Sequence, residues 1–407
     1  MKMRVLLLTC YCLISGILQA NTPLSSPELP FFNEKITIIG GTGAVGSYFA
    51  MQLADAGYKV SIVGRPYSPH LERIQKSGLA IKTSAGSKLV FPSQFSYIGS
   101  FNPTLSKQDI IIVALKQPDL NEELARQIKQ LSHKHTLLAF AANGIPFYFF
   151  EGLTLPHKDH IESVDKGGKI IQLLQDLPIV TLQPFIAAHI TSPGTIQITR
   201  PLEKIFVALS SPRDDKASKN SVTKLADIFR ASGIQNKVLS EKAHQNILEK
   251  LQFALSVNVL SALMNQSIDQ VFSEPETQPF IKYSIALIQE ISNSLHIGQL
   301  RNYDEFKNLP ITKGHYSSLY KDIQDGKPTE ISAIIEATLE IAHFTQKHPL
   351  SATLELAPLE LGLKLLKQKA TGHPINPADI KTLNEGCTQA LAKMLPKQPK
   401  TNKISFR

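Results

Sequence analysis

The chain has 407 residues, of which 43% are hydrophobic and 19% charged, with no tryptophan and a formal net charge of +9. This length exceeds one typical domain and predicts two, each able to bury a core without metal or disulfides. The excess charge lies mostly at the ends, since Lys2 and Arg4 stand near the start and the segment 393–407 holds five basic residues and no acid. The body between them is nearly neutral, which argues against nucleic-acid binding.

The first twenty residues have the form of a secretory signal. A basic start precedes an apolar run from Val5 to Leu18, and a polar, proline-rich stretch follows. We predict a signal peptide over 1–20, a linker over 21–33 and export to the periplasm or beyond. The run is too short for a comfortable bilayer span, so no stable membrane span is expected after processing.

The cysteine and histidine content indicates neither disulfides nor metal. Cys10 and Cys12 fall in the leader, so a processed chain keeps Cys387 alone and forms no internal disulfide. No histidine lies in an HExxH motif or in another ligand spacing, and we predict no metal.

The segment after the leader alternates between strands and helices. A β-branched run ends at glycines, a helix-spaced stretch follows and stops at Gly57, and a second apolar run begins at once. Further apolar runs flank another helical stretch, and continuous runs of this kind are typical of parallel strands covered on both faces. We predict a Rossmann-like α/β domain with a parallel sheet, with strands at 36–39, 58–63, 109–115 and 136–141 and helices at 45–56 and 121–131.

The second half changes from mixed to helical periodicity. Residues 179–209 are β-rich, 214–220 form a polar link and 222–231 a helix, and the domain boundary is expected near Ser240. We predict an α/β domain over 34–239, an all-helical domain over 240–392 and a basic disordered tail over 393–407. The long helices are predicted at 241–265, 276–295, 329–346 and 354–369.

A glycine-rich turn joins the first strand to the first helix. It contains G-x-G-x-x-G from Gly41 and also G-x-x-G-x-x-G from Gly40. Glycines there permit a tight turn, close approach of a pyrophosphate and packing of the helix on the strand, while the helix amides face the anion. The motif between strand and helix predicts dinucleotide binding by Gly41, Thr42, Gly43, Ala44, Val45 and Gly46.

The end of the second strand bears on the choice of nucleotide. NAD-binding domains place an acidic residue there for the ribose 2′-hydroxyl, whereas this chain has Gly64-Arg65 with no carboxylate beside it in the sequence. A guanidinium suits a 2′-phosphate, so NADP(H) is the predicted cofactor. Arg73 or Lys76 is a further candidate for contact with the 2′-phosphate, beside Arg65.

Several further motifs resemble the ketopantoate reductase family in their order and approximate spacing. The resemblance runs from about Lys35 to about Leu356. Within the family, the chain resembles the longer branch that carries Asn143-Gly144-Ile145-Pro146 and the later Val164-Asp165-Lys166-Gly167-Gly168. The motifs are Lys116 after one strand, Asn143-Gly144-Ile145-Pro146 after the next, Val164-Asp165-Lys166-Gly167-Gly168, Lys250-Leu251, Asn258-Val259-Leu260-Ser261-Ala262-Leu263, Ser317-Ser318-Leu319-Tyr320-Lys321-Asp322 and Pro328-Thr329-Glu330-Ile331.

The resemblance implies an NADPH-dependent reduction of 2-dehydropantoate (ketopantoate) to pantoate, as in pantothenate biosynthesis, in a cleft between the domains. It implies that Lys250 polarises the carbonyl and delivers the proton, and that Glu330 holds the substrate hydroxyl. The remaining roles implied are substrate binding by Asn258 and Ser318 and contact with the nicotinamide end of the cofactor by Lys116 and Asn143. Structural readings stay open: Ser318 as a helix cap, Glu330 as a first-turn acid and Asn258 as a buried polar group.

This sequence also departs from the family pattern. One helical turn after Lys250 the family commonly has a substrate-contacting asparagine, and this chain has Ala254. Alanine cannot make that hydrogen bond, so reduction of another 2-keto acid is a second hypothesis. A third is an exported, catalytically silent ligand-binding protein, because an exported enzyme loses the cytoplasmic NADPH pool. Localisation therefore stays open: the leader indicates export to the periplasm or beyond, whereas cofactor use indicates the cytoplasm. Monomer and homodimer both remain open.

Overall fold

The structure is a computed structural model that describes residues 31–153, 159–184, 186–200, 205–209, 216–239, 243–346 and 355–394. The predicted signal peptide, most of the linker and most of the basic tail lie outside the described residues. So do residues 154–158, 185, 201–204, 210–215, 240–242 and 347–354. The N-terminal part is mixed α/β and the C-terminal part helical, as predicted.

A mostly parallel sheet of eight strands organises the N-terminal part, in the order β12-β11-β8-β7-β6-β1-β2-β5. β11 runs antiparallel to β8, and the other neighbours are parallel. The strands are β1 (Lys35–Ile39), β2 (Lys59–Val63), β5 (Tyr97–Gly99), β6 (Gln108–Val113), β7 (Ser132–Phe140), β8 (Ile179–Pro184), β11 (Ile205–Leu209) and β12 (Asn236–Val238).

A second sheet, which the sequence patterns do not separate from the first, packs beside it. Its order is β4-β3-β10-β9, formed by β3 (Leu79–Thr83), β4 (Gly86–Val90), β9 (Ala187–Ser192) and β10 (Thr195–Arg200). The β-rich region predicted at 179–209 therefore divides between the two sheets, because β8 and β11 join the large one.

Helices cover both faces of the large sheet, which explains its continuous apolar strands. Ile110 and Ile112 of β6 pack into a core with the helices α1 (Ala44–Asp55) and α5 (Lys216–Ala231). Ile111 and Val113 point to the opposite face and pack with α3 (Glu122–Leu131) and α4 (Lys169–Leu174). This second core continues without interruption into the helical part. A further helix, α2 (Pro69–Ser77), leads into the small sheet.

The C-terminal part is helical throughout its described residues. Two of its long helices contain a π-helical segment: Ala254–Asn258, the first π segment, joins α6 to α7, and Ser332–Glu336, the second π segment, precedes α12. The two π segments pack against each other. The helices are α6 (Ala243–Phe253), α7 (Val259–Met264), α8 (Ile268–Ser273), α9 (Gln278–Ser294), α10 (Tyr303–Lys307), α11 (Ser318–Gln324), α12 (Ala337–Gln346), α13 (Ala357–Ala370) and α14 (Pro377–Met394).

Some helix bounds differ from the sequence-based expectations. The polar link expected over 214–220 is helical from Lys216 onward, where α5 begins. Lys393, expected to open a disordered tail, lies in the last turn of α14 and pairs with Glu355 at 3.1 Å. The stretch Ala243–Met264 is long and apolar enough to span a membrane, but 72% of its apolar window is buried in the protein, as in a core helix.

Candidate active site

The glycine turn after β1 is closed tightly by its own backbone. Gly40 has a φ of +78°, and its carbonyl accepts a hydrogen bond from Gly43 N at 2.8 Å. A Cβ on Gly46 would lie 2.2 Å from Gly40 O, and one on Gly41 would lie 3.0 Å from Ile38 O. The turn therefore requires glycine, and Gly43 at the N-cap leaves the first amides of α1 without a side-chain cap. This cradle fits a dinucleotide pyrophosphate.

The turn includes all six residues predicted for pyrophosphate binding, Gly41, Thr42, Gly43, Ala44, Val45 and Gly46. Thr42 also packs over the end of β2, since a Cβ on Gly64 would lie 2.5 Å from the Thr42 side chain. Gly40, left out of that prediction, is equally constrained, because a Cβ there would lie 2.5 Å from Ala114 O. The sequence signal for it was the second glycine pattern, which starts at Gly40.

Arg65 follows β2 at the same edge of the sheet. Its Nη2 lies 2.6 Å from Oδ2 of Asp119, which ends a short 3₁₀ turn after β6. The sequence has no carboxylate beside Arg65, but the fold supplies one from 54 residues away. We call Arg65 and Asp119 the edge pair. Arg73, the alternative, instead lies against Gly194 in the small sheet.

Lys116, directly after β6, joins the two parts of the molecule. Its Nζ lies 2.5 Å from Oδ1 of Asp322 on α11 and 3.5 Å from the Pro328 carbonyl oxygen. The Asp322 side chain is 11% exposed and that of Lys116 36%, so water reaches this ion pair mainly from the lysine side. Asp322 belongs to a motif noted in the sequence, but it was given no role there.

The loop after β7 docks on the second π segment. Gly144 has a φ of +75°, and a Cβ there would lie 2.7 Å from the backbone carbonyl of Ala333. Ile145 N donates to that carbonyl oxygen at 2.8 Å. Glycine after Asn143 is therefore needed both for the left-handed backbone and for this close approach. The docking brings Asn143 Nδ2 to 3.0 Å from Glu330 Oε2, to which it donates a hydrogen bond.

Lys250 on α6 and Glu330 before the second π segment perturb each other's protonation. Burial lowers the pKa of Lys250 to about 8, against the opposing charge of Glu330. Glu330 is buried, and burial raises its pKa against the hydrogen bond from Asn143 and the charges of Lys250 and Lys116. Such shifts in a cleft are typical of catalytic sites. We call Lys116, Asn143, Lys250, Asp322 and Glu330 the cleft cluster.

The two predicted substrate-binding residues lie on neighbouring helices. Asn258 ends the first π segment and is partly buried, and Ser318 opens α11 and is exposed. Ser317, not Ser318, is the helix cap: its Oγ accepts from Tyr320 N at 3.1 Å and donates to Asn258 O at 3.3 Å. Ser318 thus keeps its hydroxyl for another role. It stands four residues before Asp322, on the same face of α11.

Glu330 and Ala254 complete the description of the predicted positions. Glu330 precedes its helix, and its carbonyl oxygen accepts a hydrogen bond from Ile334 N at 3.0 Å. Its side chain is buried, so the carboxylate is not an exposed first-turn acid. Ala254 is buried at the start of the first π segment, one turn after Lys250. Among the described residues, no three His, Cys, Asp or Glu side chains cluster as a metal site would require.

Comparisons with known proteins identify the family of this chain. A family model described as ketopantoate reductase PanE/ApbA matches residues 36–202, and one described as the C-terminal part of the same family matches residues 242–350. A 2-dehydropantoate 2-reductase of Mesorhizobium japonicum is 30% identical over 316 residues, which are 77% of this chain and 93% of that protein.

Solved structures show the same fold at low sequence identity. The 2-dehydropantoate 2-reductase of Geobacter metallireducens superposes with a TM-score of 0.63 at 20% identity, over 82% of this chain and 99% of that chain. A ternary structure of D-mandelate dehydrogenase with NADH and anilino(oxo)acetate superposes with a TM-score of 0.64 at 20% identity, over 83% and 98%. The family matches on both parts of the chain confirm the resemblance seen in the sequence, and the chain belongs to the ketopantoate reductase family.

Proposed function

We propose that this protein is an NADPH-dependent oxidoreductase that reduces 2-dehydropantoate to pantoate. The observation that carries the proposal is the electrostatic interaction of two buried groups, Lys250 and Glu330, where burial lowers the pKa of the lysine and raises that of the glutamate. The names of the curated relatives support the same reaction. The wider role in pantothenate biosynthesis follows from this reaction.

The cleft cluster provides what reduction of a ketone needs from the protein. A bound nicotinamide cofactor supplies the hydride. The ammonium of Lys250 stabilises the negative charge that develops on the carbonyl oxygen and delivers the proton to it. A donor with a pKa of about 8 is well matched to neutral pH. Glu330, which accepts a hydrogen bond from Asn143, also accepts one from the substrate hydroxyl. Asn258 and Ser318 bind the polar end of the substrate.

The edge of the sheet supports NADP(H) as the cofactor. The glycine turn leaves no room for a side chain at Gly41 or Gly46, and a turn of this kind before a helix N-terminus suits a pyrophosphate. Arg65 presents a largely exposed guanidinium after β2, where the 2′ position of the adenosine ribose is recognised in this fold. Lys116 and Asn143, at the ends of β6 and β7, are proposed to contact the nicotinamide end.

The test follows the loss of reduced-nicotinamide absorbance with NADPH or NADH, with and without ketopantoate. Lys250→Ala is compared with Lys381→Ala, which removes an exposed lysine from α14. We expect NADPH turnover in the wild type and in Lys381→Ala, and at least a hundredfold loss in Lys250→Ala. NADPH binding without turnover of any keto acid would overturn the reductase assignment.

Ala254 favours a second candidate, the reduction of another 2-keto acid. A buried methyl group replaces a hydrogen-bonding side chain within one turn of Lys250, and a site lacking a polar partner binds an apolar group better. A panel of 2-keto acids distinguishes the candidates by their kcat/KM values. Export, oligomeric state and the silent ligand-binding alternative stay predictions.

A further inference from the structure

The edge pair stands where two strand ends flank the glycine turn. In the large sheet β6 and β2 lie on either side of β1, so residues after β2 and after β6 border the turn that follows β1. Arg65 comes from one border and Asp119 from the other, and they meet at 2.6 Å. The pair therefore connects the two segments that border the glycine turn.

The two partners differ in how firmly they are held. Asp119 ends a 3₁₀ turn in which its own amide donates to Lys116 O at 3.0 Å and Leu120 N donates to Gln117 O at 2.9 Å. Arg65 extends on a long side chain that is 68% exposed. The main chain at Asp119 is thus held by backbone hydrogen bonds, whereas the long and exposed Arg65 side chain can adjust.

An ion pair this exposed is weak and exchanges its partner readily. Surface pairs lose most of their Coulomb energy to water and salt, whereas a phosphate offers arginine a charge-assisted, two-point contact. A phosphate therefore displaces the carboxylate from Arg65. The phosphate then binds beside the negative charge of Asp119. Repulsion between the phosphate and this carboxylate lowers the affinity for the phosphate.

We propose that Asp119 is a specificity-determining residue that competes with the 2′-phosphate of NADP(H) for Arg65 and so narrows the preference for NADP(H) over NAD(H). The inference rests on the proposed cofactor use and deepens it. Asp119 supplies, from the loop after β6, an acid that the end of β2 lacks. The chain thus presents both a cation and a carboxylate to the 2′ position, and their balance sets cofactor choice.

The test measures binding of adenosine fragments, which needs no turnover. Calorimetry compares 2′,5′-ADP with 5′-AMP, which differ only in the 2′-phosphate, on the full chain at low salt. The variants are Asp119→Asn, Arg65→Gln and the matched control Asp55→Asn, whose carboxylate pairs with Lys88 at the other end of α1.

We expect Asp119→Asn to tighten 2′,5′-ADP by about threefold to tenfold and to leave 5′-AMP within about twofold, because one unit charge is removed near the phosphate. Raising the salt should shrink this gain. Arg65→Gln should weaken 2′,5′-ADP by about tenfold or more, and Asp55→Asn should change neither ligand.

Four results would overturn the inference. Weaker 2′,5′-ADP binding in Asp119→Asn would make the carboxylate a positioning residue for Arg65, and equal effects on both ligands would remove any role in discrimination. Unchanged binding in Asp119→Asn with intact wild-type binding would reject this inference and leave the proposed function standing. A wild-type chain that binds neither fragment would reject the proposed cofactor use as well.

Discussion

The edge pair and the cleft cluster are both sets of opposite charges at the carboxyl edge of one sheet, yet their surroundings differ sharply. Arg65 and Asp119 both belong to the α/β part, and the Arg65 side chain is 68% exposed. The cleft cluster draws Lys116 and Asn143 from the α/β part and its other members from the helical part, and Glu330 is 5% exposed. The edge pair is exposed chiefly at Arg65, whereas the cleft cluster buries Glu330 and Asp322 and exposes 36% of the Lys116 side chain.

The difference shows what burial adds to a charge. Near water, a pair of charges is screened and serves mainly to attract a ligand. Out of water, burial disfavours the charged forms: it lowers the pKa of Lys250 to about 8 and raises the pKa of Glu330, against the attraction between the two charges. The edge pair is therefore suited to selecting a ligand and the cleft cluster to moving a proton.

Glu330→Gln should have the largest effect on activity, because it removes the charge of a buried carboxylate in the cleft cluster. We expect kcat/KM for keto-acid reduction to fall by about a hundredfold or more. The Glu330 charge also supports the pKa of Lys250, so in the variant that pKa should drop below 8. Steady-state kinetics checks the fall, with Glu385→Gln, on the exposed side of α14, as the control. A small change in Glu330→Gln would break the contrast.

The pH profile tests the same lysine without mutation. Burial lowers the pKa of Lys250 to about 8, and the protonated form is the proton donor. In the reductive direction kcat/KM should therefore fall about tenfold per pH unit above pH 8, whereas an ordinary lysine would keep it flat to about pH 10. A flat profile from pH 8 to 10 would show that Lys250 is not the titrating donor.

Gly144→Ala should weaken the contact between the loop after β7 and the second π segment. The new methyl group would meet the Ala333 carbonyl in a backbone conformation that alanine disfavours. We expect the free energy of unfolding to drop by about 2–3 kcal/mol. Gly372→Ala is the matched control, since its φ is +86° but open space surrounds it, and it should lose only about 1 kcal/mol. Urea unfolding measures both, and equal losses would argue against the close contact.

Double-mutant cycles compare the two ion pairs directly. The cycle of Lys116→Met with Asp322→Asn should give a coupling energy of about 1–2 kcal/mol, because the Asp322 side chain is largely shielded. The cycle of Arg65→Met with Asp119→Asn should stay below about 1 kcal/mol and vanish at high salt. Equal couplings would show that the exposure difference has no energetic consequence.

Ala254→Asn should have the smallest effect. It restores the side chain that the family commonly has one turn after Lys250, on a segment already packed in the cleft. We expect kcat/KM for ketopantoate to rise by about threefold to tenfold relative to a more apolar 2-keto acid. A kinetic comparison of the two substrates checks this ratio. An unchanged ratio would show that position 254 does not face the substrate.

The sequence predicts the local parts of this molecule better than the contacts between them. The glycine turn and the strands around it follow from periodicity and from conformations only glycine adopts, and they appear within a residue or two of the prediction. Asp119 and Asp322 were not assigned, because their partners lie 54 and 206 residues away and no local pattern marks such pairs. Motif resemblance brought Lys250, Asn143 and Glu330 together, and spacing alone would not have done so.

Two features also escaped prediction for a physical reason. A π segment differs from an α-helix by a single extra residue in a turn, and the apolar periodicity of 241–265 continues through it unchanged. The small sheet is built by pairing β3 with β10, which are more than a hundred residues apart. Strand pairing over such distances depends on packing that a single sequence does not display.

The docking of Gly144 and Ile145 on Ala333 has a consequence for how this protein can be divided. One apolar core extends from Ile111 and Val113 of the sheet into the helices beyond residue 243. The α/β part alone would therefore expose a large apolar surface. Protein engineers who cut the chain near residue 240 should obtain aggregating halves rather than modules. The molecule looks like two domains along its sequence, but it should melt as one cooperative unit.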